Sequence, residues 1–146
     1  MWLKTSMTSA DTGTAAIAPA GDGHLEVSVQ TADTAFAAAG ATRCDLFMLD
    51  VDGGEFDVLA GAEQFIATTR AAILAELDEY WLSQRGQRRD EIISWAERHS
   101  YHAHVIHRDG HATPIVAGAV PDGDLLVLPE EWPPERIHRW TGAARR

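Results

Sequence analysis

Apolar and polar positions first alternate regularly at His24. Over residues 24–30, Leu25, Val27 and Val29 share one face, the period of a half-buried strand. Residues 31–39 follow as a short helix. The run Asp-Leu-Phe-Met-Leu-Asp-Val at 45–51 is almost continuously apolar, which predicts a strand covered on both faces, as in parallel sheets. From Glu55 onward, Val58, Leu59, Ala62, Phe65 and Ile66 fall on one helical stripe that ends before Thr68 and Thr69. Residues 71–77 return to strand. A helix over 90–99 carries Ile92, Ile93 and Ala96 on one face, and strands follow at 101–107 and 124–128. Residues 1–23 are rich in Ser, Thr, Ala and Gly and show no sustained period, so they read as a flexible lead-in to a unit spanning 24–146. The tail with Trp132 and Trp140 reads as packed over the sheet, with Arg145 and Arg146 in solvent.

Strands separated by helices predict an α/β fold with a parallel or mixed sheet, taken as mostly parallel, with helices on both faces and ligands at the carboxyl ends of the strands. A length of 146 residues suits one domain. The net charge of −10 repels phosphate backbones and anionic lipid, which argues against nucleic-acid and membrane partners. Cys44 is the only cysteine; it fits a reducing compartment and reads as a small residue beside a strand. There is no apolar run of about 18 residues and no signal-peptide pattern, so the expectation is a cytoplasmic protein.

The end of the 45–51 strand carries the most chemistry. There Asp50, Val51, Asp52, Gly53, Gly54 and Glu55 place three acids and two glycines in one tight turn that opens a helix. Asp52 and Glu55 also suit the positive end of a helix dipole, whereas Asp50 is still on the strand. A haloacid-dehalogenase reading needs a later lysine, and Lys4 is the only one. An EF-hand needs glycine where Glu55 stands. A metal-dependent glycosyltransferase reading of Asp-x-Asp fits locally and explains nothing downstream. His102, His104, His107 and His111 match no familiar zinc spacing and lack a cysteine partner, so a half-exposed strand is the simpler reading and no metal site is assigned.

A longer pattern is present. Asp50-Val51-Asp52-Gly53-Gly54-Glu55, Val58-Leu59, Gly61-Ala62 and Ile73-Leu74-Ala75-Glu76-Leu77 follow in order, preceded by Val27-Ser28-Val29-Gln30-Thr31-Ala32-Asp33 and followed by Ser100-Tyr101. Together these resemble the FkbM-type S-adenosylmethionine-dependent methyltransferases over about residues 25–128. Asp52 stands where that family usually has Glu, Gly54 where it has Ala, and Met48 where Lys is frequent.

The resemblance implies a Rossmann-like methyltransferase fold and methyl transfer from S-adenosylmethionine to a hydroxyl on a small sugar- or polyketide-like acceptor. By the same resemblance, Asp50 and Glu76 are the catalytic candidates, with Glu55 next; Asp50, Asp52 and Gly53 are the cofactor-binding candidates. The family's opening strand, glycine-rich loop and ribose-binding acid do not precede Leu25, and Gly21-Asp22-Gly23 does not substitute for them. The expectation is therefore a truncated domain, its C-terminal half, that binds the cofactor weakly alone. Such a half leaves an open sheet edge at 45–51, to be covered by a missing N-terminal half, by residues 25–30 or by self-association. A non-catalytic interaction module is the alternative.

Overall fold

A computed structural model describes residues 2–5, 15–18, 24–26, 28–116, 120–121 and 123–142. Residues 1–23 do not read as strand in the sequence, yet they hold two. Strands β1 (Trp2–Thr5), β2 (Ala15–Ala18) and β3 (His24–Glu26) form an antiparallel sheet in the order β2-β1-β3. A boundary at residue 24 would part β3 from the strand it pairs with. The strand expected over 24–30 is confined to β3, because residues 28–30 are neither paired nor buried.

The main sheet has five strands in the order β4-β5-β8-β6-β7: β4 (Leu46–Leu49), β5 (Ala72–Ala75), β6 (Tyr101–Ile106), β7 (Ala112–Pro114) and β8 (Leu125–Pro129). Only β4–β5 pairs parallel; β5–β8, β8–β6 and β6–β7 are antiparallel. The expected mostly parallel sheet is thus a mixed one. The reason is β8, which runs backward between β5 and β6. Strands β4, β5 and β6 all point the same way, as helical connections require, but inserting one reversed strand turns two of their contacts antiparallel. β7 hairpins back on β6 and adds a third.

Six short helices complete the described residues: α1 (Ala32–Ala38), α2 (Glu55–Ala60), α3 (Glu63–Thr69), α4 (Glu79–Ser83), α5 (Glu91–Arg98) and α6 (Pro134–Thr141). None is long and apolar enough to cross a membrane. The alternating positions of β8 separate two cores: Leu125 and Val127 pack with Leu59, Ile66, Leu82, Ile92 and Trp95 of the helices on one face, while Leu126 and Leu128 meet Trp132, Ile137 and Trp140 on the other. Helices therefore cover both faces, and the tail does pack over the sheet. Arg145 and Arg146 lie outside the described residues.

The stripe from Glu55 is two helices, not one. The break at Gly61 and Ala62 lets α1 dock: the Gly61 carbonyl accepts from Asp33 N at 2.8 Å. The Asp33 carboxylate in turn accepts from Gln64 N at 3.2 Å and Phe65 N at 2.8 Å, capping α3, which has no cap of its own. Phe36 stacks on Phe65 at 3.9 Å between centroids, with Phe47 edge-on to both. That aromatic cluster fastens β4 on one face only. On the other, Leu46 is 42% and Met48 64% exposed, so β4 is not covered on both faces as its composition predicts. The helix that covers this side, α6, packs instead over Ala112, Leu126 and Leu128.

Candidate functional site

β4 ends at Leu49, and Asp50 just after it is exposed. The chain then reverses through Val51–Gly54, closed by Gly54 N donating to Val51 O at 3.2 Å, with Asp52 at φ 46° and Gly53 at φ 90°. Two consecutive positive φ values are costly for side-chain-bearing residues and easy for glycine. Gly53 has a second reason to be glycine: a Cβ there would lie 2.6 Å from the Trp81 carbonyl oxygen. Glu55 is buried, and its Oε1 accepts from Val51 N and Gly53 N, both at 3.2 Å. The side chain thereby pins the turn from inside; its Oε2 is buried without a partner. Gly53 and Glu55 thus act on the turn itself, while Asp50 faces solvent and Asp52 is half-buried.

Glu76 follows β5. Its amide donates to Leu49 O at 3.0 Å, continuing the parallel register Leu49–Ala75, so Glu76 and Asp50 stand side by side beyond the strands. From the antiparallel side, the register Ala75–Leu125 sets Asp124 opposite Glu76. Asp78 caps α4, its Oδ1 accepting from Tyr80 N at 2.8 Å and Trp81 N at 3.3 Å. Surrounded this way, the Glu76 carboxyl is pushed above its ordinary value by the negative charge of Asp50 first, then by slight burial, then by Asp124, Asp52 and Asp78. Asp78 and Asp124 are not singled out by sequence reasoning, although each carried a signal as an acid flanking an apolar run. Among the described residues, no three His, Cys, Asp or Glu side chains converge as a metal site.

Beside this acidic end lies a largely apolar pocket of about 470 Å³, lined by Gln30, Thr31, Val51, Gly54, Asp57 and Val58 among others. Its one carboxylate, Asp57, is paired with Arg85. Sites for small molecules commonly enclose about 300–1,000 Å³. The histidines stay apart from this site: His102 and His104 lie on β6, and His104 is buried rather than half-exposed, its Nδ1 3.2 Å from His102 O.

The acids gather at the carboxyl ends of the parallel strands β4 and β5, the end at which α/β proteins commonly hold their ligands. Among protein families, the chain matches the methyltransferase FkbM domain over residues 3–103. The match spans more than half of the chain, which belongs to that family. It begins upstream of residue 25, where the resemblance becomes legible, and ends within β6 rather than at 128. No curated protein and no solved structure matches.

Proposed function

We propose that this protein transfers a methyl group from S-adenosylmethionine to a hydroxyl oxygen of a small, sugar- or polyketide-like acceptor at the carboxyl ends of β4 and β5. The observation that carries the reading is the adjacency of Asp50 and Glu76 on the one parallel pair of the sheet. The residues fit the cofactor: Asp50, Asp124, Asp52 and Asp78 all raise Glu76, which marks a surplus of negative charge, and the pocket beside them offers an apolar wall. When bound, S-adenosylmethionine supplies an electrophilic methyl carbon on a cationic sulfur. Asp50 and Asp52 favour that positive charge, and Gly53 keeps the turn that presents them. Glu76 would take the proton of the acceptor hydroxyl, the step this chain supplies to the transfer. A carboxylate whose affinity for protons is raised is the better base near neutral pH. Glu55 serves by holding the turn.

With no glycine-rich loop leading from a strand into a helix ahead of β4 among the described residues, the chain should bind the cofactor weakly. Titration calorimetry tests this; a dissociation constant at or below about 10 μM, some 7 kcal/mol, would contradict it. Asp50→Asn and Glu76→Gln should leave folding intact and lower turnover by about 10²- to 10⁴-fold. Unchanged turnover in both would remove these acids from the chemistry.

A further inference from the structure

Glu76 and Asp124 stand opposite one another on the first rung beyond the β5–β8 ladder. Like charges so placed push the strands apart. The next rung, Leu77 opposite Gly123, is held by a side chain: Arg89 Nη1 donates to Leu77 O at 2.6 Å and Nη2 donates to Gly123 O. The residue is itself fixed, since its amide donates to Glu79 Oε2 at 3.0 Å, and Leu77 is buried in the core. From the far side, the Asp124 carbonyl accepts from Ile106 N at 2.9 Å.

We infer that Arg89 is a positioning residue, a two-pronged clamp on the carbonyls of Leu77 and Gly123 that keeps the carboxylates of Glu76 and Asp124 abreast against their repulsion. This deepens the reading of Glu76 as a base and rests on it. A planar guanidinium is suited to the task because its donors diverge at fixed angles; an ammonium concentrates them at one point. The clamp sets how strongly Asp124 acts on Glu76, whose carboxyl also faces Asp50 from β4, Asp52 from the turn and Asp78 from the start of α4.

The test is the NMR titration of the Glu76 carboxyl in the full chain. Asp124→Asn should move its midpoint down, since a neighbouring negative charge is gone. Arg89→Lys conserves charge but loosens the clamp, so the midpoint should also move down, and the two changes combined should do little more than either alone. A midpoint unmoved or raised in Arg89→Lys overturns the assignment, because with the charge conserved a loosened clamp can only weaken the push of Asp124 on Glu76. An unmoved midpoint in Asp124→Asn overturns it too, because the acids are then not abreast. Should Arg89→Lys fail to fold, adding Asp124→Asn should restore folding by removing the repulsion; a double variant that stays unfolded overturns the clamp. Absent methyl transfer with this coupling intact would count against the proposed function and leave the role of Arg89 standing.

Discussion

Gly53 and Gly54 are neighbours with different obligations. Gly53 has φ 90° and no room for a Cβ against Trp81, whereas Gly54 sits at φ −94° with its nearest neighbours at 3.4 Å. Gly53→Ala should therefore destabilise by more than about 2 kcal/mol, combining backbone strain with a collision that only moving α4 relieves. Gly54→Ala, which would restore the residue the family pattern favours, should change stability by less than about 1 kcal/mol. Urea denaturation of the two variants checks the contrast, and equal costs would refute it. Sequence made Asp50 legible because an acid ending an apolar run is unusual. It did not disclose that Glu55 is buried, since an acid at a helix start is commonly solvated there. Its burial depends on the positive-φ turn that points two amides inward.

Among elements, the helices and strands with a clear apolar pattern were legible: α1, α5, β4, β5 and β6 lie within the spans that the pattern marks, and β8 overruns its span 124–128 by Pro129. α4, β7 and α6 were not, being too short or too polar to show a period. The α2–α3 break was hidden because Gly61 and Ala62 keep the apolar stripe while the hydrogen bonds change partners. The distant Asp33 occupies it from α1. Asp33→Ala should cost about 1–2 kcal/mol, the range for losing a side-chain cap, and amide exchange should quicken first at Gln64 and Phe65. An unaltered exchange pattern there would show that α3 needs no cap from α1.

A second tie between elements is sensitive to acid. Arg70 donates through Nε and Nη2 to the Glu131 carboxylate, both at 2.6 Å, and to the His99 and Ser100 carbonyls, joining the start of β5 to the loops beside β6 and β8. The hydrogen bond from Arg70 holds the Glu131 carboxyl below its ordinary 4.5. With its folded value lowered, the pair contributes fully above the unfolded value, and that contribution fades as pH falls through the folded one. Glu131 is half exposed, so the contribution is below about 1 kcal/mol. Denaturation midpoints of wild type and Glu131→Gln should differ at neutral pH and converge in acid; a constant difference would show that the ion pair is not responsible.

For the whole molecule, the exposed feature is β4. Asp45 and Leu49 carbonyls accept from Ala72 and Glu76 amides, so the backbone groups of Leu46 and Met48 face outward, without a strand partner among the described residues. No lysine, proline or bulge guards this edge. Self-association through β4 is the expected outcome, seen as a concentration-dependent mass in sedimentation. Met48→Lys should abolish it, with less than about 0.5 kcal/mol change in folding. Association that survives Met48→Lys, or a monomer at high concentration, would rule this edge out as the contact. The mixed character of the sheet was not legible for a related reason: strand order depends on where a late segment inserts, and no local pattern in 125–129 encodes that it runs between β5 and β6.

The central position of β8 has a consequence for the protein while it is being made. Every residue from Leu125 to Pro129 is buried, and this strand alone joins β4 and β5 to β6 and β7. A ribosome delivers it after the seven other strands of the described residues, so the two parts of the sheet emerge with their inner edges open and nothing between them. The nascent chain must wait, its most adhesive surfaces exposed, until β8 itself has been made.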